Sequence, residues 1–415
     1  MNASVKGWCP GALRPMMSGD GLLVRLRPRC ATLAAATARE IATCAAEFGN
    51  GLIELTSRAN LQLRGVREDA LPALQGRLAA LGLLDPDAAT EGLRNIIASP
   101  LAGVDPLALL DIRPVVAALE RALAGEARLV GLPGKFGFVV EDGGSIDLSG
   151  VDADVAFRAV ATAEGPRFAV YAGGQNAACA HCGPKELPGV AVAMATGFIA
   201  ARQGQLEPPR RMRDLPGAQA ATREFAETPG LRGDGCLGLH KGFIGVGKAF
   251  GRWQAMEWLA LADAALAHGG PQAELRLTPW RSVLIPVGGS RLAVDITAIG
   301  GIFDPADPRL AAVACPGAPA CASATTATQA DATTWAPLAR RLQPRGVALH
   351  VSGCGKSCAR HETTRATLVA RAGLYDLVLD GLATNRASLA GLDVAAATAA
   401  LEALAAGKSP LEKCA

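Results

Sequence analysis

The sequence predicts an α+β fold with mixed α/β layers, built from two related halves. Two observations carry this. A strand–helix–strand order occurs twice, and each occurrence is followed by a block that joins a strand to a glycine-rich turn. In the first unit Gly21-Leu-Leu-Val-Arg-Leu26 alternates like a strand, an alanine-rich stretch over 31–48 reads as helix, and 51–65 reads as a second strand. In the second, Phe243-Ile-Gly-Val246 is followed by a helix over 253–268 and a strand over 273–286. Glu54-Leu-Thr-Ser57 and Arg276-Leu-Thr-Pro279 are the clearest local echo. The later blocks are Leu132-Pro-Gly-Lys-Phe-Gly-Phe-Val-Val140 and Leu349-His-Val-Ser-Gly-Cys-Gly-Lys-Ser-Cys358. A stretch rich in Pro, Arg and Gly over 203–217 reads as the linker between halves. Strands alternating with helices imply layered sheets and helices.

Composition sets the bounds. A chain of 415 residues is too long for one ordinary core. Half of it is apolar and 19% charged, which excludes a disordered class. The net charge of +3 is thinly spread, with no basic run of the kind that nucleic acid attracts. The longest uncharged stretch, 187–201, is shorter than the roughly 20 residues that span a bilayer. The first ten residues hold no apolar core of a secretory signal, so a cytoplasmic location is expected.

Eleven cysteines without such a signal point to metal or redox chemistry rather than disulfides. Cys9, Cys30, Cys44, Cys236 and Cys414 stand singly; six others form three close pairs. Cys315-Pro-Gly-Ala-Pro-Ala-Cys321 and Cys354-Gly-Lys-Ser-Cys358 give C-x5-C and then C-x3-C. Four thiolates on two loops that cannot become helix suit the corners of an iron–sulfur cube. Zinc competes, although structural zinc prefers spacings of two to four in both pairs. Lys356 and Arg360 supply positive charge beside an anionic cluster. Cys179-Ala-His-Cys182 has no second C-x2-C to complete a zinc site and reads as a loop with incidental thiols.

The two cysteine motifs resemble those of the sulfite and nitrite reductase superfamily. So do Thr56-Ser-Arg-Ala-Asn-Leu-Gln-Leu-Arg-Gly65, Leu93-Arg-Asn-Ile-Ile97 and Leu132-Pro-Gly-Lys-Phe136. The resemblance implies a pseudo-twofold fold with two ferredoxin-like half-domains, at 1–70 and 233–295. It also implies two larger α+β domains, at 85–205 and 300–405, the second carrying a 4Fe-4S cluster on Cys315, Cys321, Cys354 and Cys358. Residues 206–232 form the linker. Arg58, Arg94 and Lys135 stand at the family's anion- and tetrapyrrole-contacting positions, and Arg64 is a further candidate for tetrapyrrole carboxylates.

Two departures matter. Gly137 stands where the reductases carry a second lysine, and Gly355-Lys356 replaces their Pro-Asn turn. Both fit one branch, the precorrin-3B synthase family, which the opening Gly7-Trp-Cys-Pro-Gly11, Arg14-Pro-Met-Met-Ser-Gly-Asp-Gly-Leu-Leu-Val-Arg25 and the form of 350–359 also resemble. That branch implies a monooxygenase that hydroxylates precorrin-3A at C20 and closes a lactone. It implies molecular oxygen, an electron donor, the cluster and a mononuclear non-haem iron. The chain holds only five histidines, His181, His240, His268, His350 and His361; His361-Glu362 follows the last cluster cysteine, His268 reads as a helix C-terminal cap, and the iron's ligands stay open. The competing readings are a sirohaem-dependent sulfite or nitrite reductase and a non-catalytic iron–sulfur electron carrier.

Overall fold

The structure is a computed structural model and describes residues 9–175, 177–215, 230–286 and 290–410. Its first half opens with β1 (Met16–Ser18), β2 (Gly21–Leu26), β3 (Thr32–Ala34), α1 (Ala35–Phe48), β4 (Leu52–Leu55), β5 (Leu61–Val66) and α2 (Leu71–Ala80). It continues through α3 (Ala88–Leu93), β6 (Ile96–Ala98), α4 (Arg113–Ala124), β7 (Phe138–Glu141), β8 (Val155–Val160), β9 (Arg167–Ala172), β10 (Ala180–Cys182) and α5 (Leu187–Arg202). The second half opens with β11 (Gly238–His240), β12 (Phe243–Val246), β13 (Arg252–Gln254), α6 (Ala255–Gly269), β14 (Glu274–Leu277), β15 (Val283–Ile285) and α7 (Ser290–Ala298). It ends with β16 (Ala312–Ala314), α8 (Thr328–Leu342), β17 (Leu349–Ser352), β18 (Thr364–Arg371), β19 (Leu374–Gly381), β20 (Leu389–Leu392) and α9 (Val394–Ala405).

The duplication is plain in the sheets. The two smaller ones run β1-β2-β5-β4-β13 and β11-β12-β15-β14-β3, so each half lends one short strand to the other's sheet. The exchange starts at matched corners. Cys30 and Ala31 (φ 49° and 54°) precede β3, and Phe250 and Gly251 (φ 59° and 67°) precede β13. This left-handed backbone turns the chain out of its own sheet. Helices α1 and α6 then pack together through Ala38, Ile41, Ala42 and Ala45 on one side and Trp258, Leu261, Ala262 and Ala265 on the other. The helix expected over 31–48 therefore begins only at Ala35, because β3 takes the residues before it.

The segments 51–65 and 273–286, each read as one strand, are two strands around a tight loop. In the first, the Thr56 hydroxyl accepts hydrogen bonds from the Arg58 and Asn60 amides, both at 3.2 Å. In the second, Thr278 accepts from Trp280 at 3.3 Å and Ser282 at 3.2 Å. Threonine satisfies amides that a continuous ladder would have paired, which breaks the strand.

The larger sheets also match. In one, β6, β7 and β8 are parallel and β9 and β10 follow antiparallel; β16 to β20 repeat the pattern. Helices α4 and α5 cover the first of these, α8 and α9 the second. The opposite face of the first sheet packs Ile97, Val139 and Leu148 against Cys236, Phe243 and Leu284 of the second half. The uncharged stretch 187–201 lies in α5, and among the described residues no helix is long and apolar enough to cross a membrane.

Candidate functional site

Parallel strands end together, so loops that leave their carboxyl ends meet at one edge. β16 ends at Ala314 and β17 at Ser352, and the next residues carry the first and second cysteine motifs. The Cys315 amide donates to the Val351 carbonyl at 3.4 Å, and the Gly353 amide donates to Cys315 Sγ at 3.1 Å. A Cβ at residue 353 would sit 2.6 Å from Ala324 Cβ and 3.2 Å from that sulfur, so only glycine allows the approach. Lys356 Nζ donates to Ser323 Oγ at 3.2 Å and ties the two loops together. The thiol of Cys358 is held above its usual range by desolvation, and then by Cys354, Cys315 and Cys321, so the four sulfurs share one neighbourhood. Four neighbouring cysteines with an amide aimed at one sulfur form a donor set suited to a 4Fe-4S cube. Among the described residues no three His, Cys, Asp or Glu side chains close on a single ion.

The first half has the same construction without the ligands. Pairing of β6 with β7 matches that of β16 with β17 and puts Ser99 at the place of Cys315. The Asp142 amide donates to Ser99 Oγ at 3.0 Å, as Gly353 does to sulfur.

The cysteine loop is clamped from the β1–β2 hairpin. The Ala320 carbonyl accepts from Ser18 Oγ at 2.8 Å, the Gly19 amide at 3.1 Å and Arg64 Nη2 at 3.1 Å. Arg64 is buried and grips Asp20 with Nε at 2.9 Å and Nη2 at 2.8 Å, while Nη1 reaches Glu54 at 3.3 Å. It is neither a solvated strand end nor an open donor for a ligand; its fork holds the hairpin to the loop. Arg94 is likewise internal. Its Nε and Nη2 meet Asp85 at 2.6 and 2.8 Å, Nη1 meets Glu120 at 3.2 Å, and Nη2 also reaches the Arg27 carbonyl at 3.1 Å. Two of the four expected pocket cations are therefore spent on carboxylates of the protein.

Arg58 and Lys135 do come together: Arg58 Nη2 donates to the Lys135 carbonyl at 3.2 Å, and the Lys135 side chain is exposed. Desolvation lowers Arg58 below its ordinary value; Cys9 opposes this and Arg211 reinforces it. Cys9 Sγ lies 3.8 Å from where a Gly134 side chain would begin, and it acts electrostatically on Arg25 as on Arg58. Arg25, whose guanidinium also grips Gln62 Oε1 at 3.1 and 2.6 Å, is pushed down to about 10 by burial, with Arg27 and Arg58 adding to it against Cys9. Gly11 is fixed in this corner because a Cβ there would meet the Glu91 carboxylate at 2.0 Å. Trp8 and Gly7 of the opening motif lie outside the described residues, as does Cys414.

The backbone at the place of the missing lysine is held by a carboxylate. The Gly137 amide donates to Asp154 Oδ2 at 2.9 Å, and the same buried carboxylate takes Arg211 Nε at 3.0 Å and the Met212 amide at 2.7 Å. His361 is exposed beside this group; partial desolvation and then Lys135 lower it, with Arg213 assisting and Asp152 opposing. His350 is buried, its Nε2 has no hydrogen-bond partner, and burial, then Arg360 and His361, hold it down to about 4. His268 pairs with Asp295 at 2.9 Å, and His240 stacks on Phe243; neither belongs to the site. Cys182 is buried in the first domain's core and pushed up to about 11 by burial, while Cys179 is exposed. The pair shares no reactive face. The spacing of Arg211 and Arg213 in the Pro/Arg-rich linker was the one signal in the sequence that could have brought them to notice.

The profile of the nitrite/sulfite reductase ferredoxin-like half domain matches residues 14–81. A precorrin-3B synthase from Sinorhizobium sp is 32% identical over 398 residues, covering 92% of this chain and 84% of that protein. A sulfite reductase [ferredoxin] from Mycolicibacterium paratuberculosis is 25% identical over 81% of this chain and 68% of its own length. A ferredoxin–nitrite reductase from Synechococcus elongatus is 32% identical over only 35% of this chain. The solved structure of the Mycobacterium tuberculosis NirA protein superposes with a TM-score of 0.69 over 94% of this chain and 81% of that one, at 20% identity, which fixes the fold. With that fold and that relative over nearly its whole length, the chain belongs to the precorrin-3B synthase family, oxidoreductases within the sulfite and nitrite reductase superfamily.

Proposed function

We propose that this protein hydroxylates precorrin-3A at C20 with molecular oxygen and closes the lactone that gives precorrin-3B, in aerobic cobalamin biosynthesis in the cytoplasm. A single 4Fe-4S cluster would be held by Cys315, Cys321, Cys354 and Cys358 and would supply one-electron transfer from an external donor. The chain's own residues bind and orient: Arg58 and Lys135 offer cations to the carboxylates of the macrocycle, and Arg25 with Cys9 lines the same corner. What favours this reading over sulfite or nitrite reduction is Gly137, which stands where the reductases carry a second lysine. A small oxyanion that takes up several electrons needs a dense cationic pocket, and the glycine at 137 contributes no ammonium to one.

Incubation of purified protein with precorrin-3A, a reductant and labelled oxygen gas tests the reading. Label in the tetrapyrrole product, with no sirohaem bands in the isolated protein, is the expected result. Stoichiometric sirohaem with sulfite or nitrite turnover, and no label in the tetrapyrrole, would instead make it a reductase.

A further inference from the structure

The linker contributes side chains to the edge of this site. Met212 is buried in the core of the first domain, and its amide is fixed by Asp154. The loop at Gly173 (φ 57°) packs so closely that a Cβ there would lie 3.1 Å from the Arg213 amide. With Met212 anchored inward, its neighbours share one carboxylate, Arg211 keeping its Nε on buried Asp154 at 3.0 Å. Arg211 Nη1 meets Asp152 Oδ2 at 2.8 Å, and Arg213 Nη1 meets Asp152 Oδ1 at 2.5 Å. Arg211 is well covered, whereas Asp152 and Arg213 are about half exposed, at 46% and 50%. The group adjoins the pocket by contacts: Arg58 reaches Lys135, and two residues on, Gly137 shares Asp154 with Arg211. Asp152, Arg213 and Lys135 all act on His361, which lies just beyond the last cluster cysteine.

We infer that Arg211 and Arg213 form a carboxylate-binding fork at the mouth of the tetrapyrrole pocket, and that Asp152 fills it until an acid side chain of the macrocycle takes its place. Displacing Asp152 frees Arg213 Nη1 and Arg211 Nη1 for the ligand, while Arg211 Nε stays on Asp154 and holds the fork in place. Two guanidinium groups converging on one carboxylate select a ligand with projecting acid arms over a compact anion. Asp152 is half exposed, so water can solvate its carboxylate when a ligand carboxylate takes over the two guanidinium groups.

The inference rests on the tetrapyrrole reading, and one binding series separates the two. Uroporphyrin I, an octacarboxylic macrocycle, is titrated by fluorescence against the full chain and its variants. Arg213→Ala should weaken binding about tenfold, as Arg58→Ala should. Asp152→Asn should tighten it several-fold by releasing the fork, and Arg213→Lys should restore part of the loss. If Arg58→Ala weakens binding while Arg213→Ala and Asp152→Asn leave it unchanged, the fork is wrong and the pocket stands. If the unaltered protein does not bind uroporphyrin, or Arg58→Ala has no effect, the pocket reading falls and the fork with it. Circular dichroism confirms folding, and Asp152→Asn, which should gain affinity, guards against mistaking a damaged fold for a lost contact.

Discussion

Replacing Arg64 by alanine distinguishes a scaffold from a ligand-binding residue. Its side chain is 3% exposed, and its partners Asp20 and Glu54 are 14% and 9% exposed. Three of its nitrogens make five contacts: two to Asp20, one each to Glu54, Ser18 and the Ala320 carbonyl. Removing one partner from a buried ion pair costs about 3–5 kcal/mol, because the remaining charges stay in low dielectric without compensation. Here two carboxylates lose a shared cation at once, Glu54 keeping Arg252 at 3.6 Å and Asp20 keeping the Asn50 side-chain amide at 3.1 Å, which places the cost at the lower end of that range, and the carbonyl next to Cys321 loses one of three donors. Arg64→Ala should therefore shift the urea unfolding midpoint by about that free energy and make the cluster easier to extract with a chelator. Porphyrin affinity per folded molecule should stay the same. Asp20→Asn made in the Arg64→Ala background should cost much less than in the unaltered protein, since the shared interaction is already gone. An unshifted midpoint together with a tenfold loss of porphyrin affinity would refute the scaffold role.

Other outcomes follow from the same contacts. Cys315→Ala, Cys321→Ala, Cys354→Ala and Cys358→Ala should each abolish the electron paramagnetic resonance of the reduced cluster, and Cys182→Ala should leave it intact. Gly19→Ala puts a Cβ 2.4 Å from the Pro319 carbonyl, so it should destabilise the hairpin–loop clamp by about 1–3 kcal/mol, read from the unfolding midpoint. Burial pushes Glu141 up to about 7, outweighing Arg158 at 3.4 Å. A raised carboxyl contributes stability that is full below its ordinary 4.5 and is lost as pH rises through about 7. Glu141→Gln removes that loss, so the variant should gain on the unaltered protein by up to about 3 kcal/mol between pH 5 and pH 8. Parallel stability curves across that range would refute the assignment.

The repeated order of elements was legible in the sequence because alternation and helical spacing are local. So were the cysteine loops, because Cys315-Pro-Gly and Gly-Cys354-Gly state their own backbone needs. The exchange of β3 and β13 between sheets was not legible. Three-residue strands have no pattern of their own, and which sheet edge receives them depends on corners at Cys30 and Phe250 whose positive φ the residue types do not announce. The motif positions brought Arg58, Arg64, Arg94 and Lys135 forward together, and only the fold separated them. Arg64 and Arg94 face carboxylates that are distant in sequence or in another element, Asp20 for one and Glu120 for the other, so their charge is already used. The sequence by itself determined the two-half α+β plan and the four-thiol loops, since both are written in residues close together along the chain. Which cations stay open at the site was decided only by tertiary structure, because an arginine's availability depends on which acids the fold brings within reach of it.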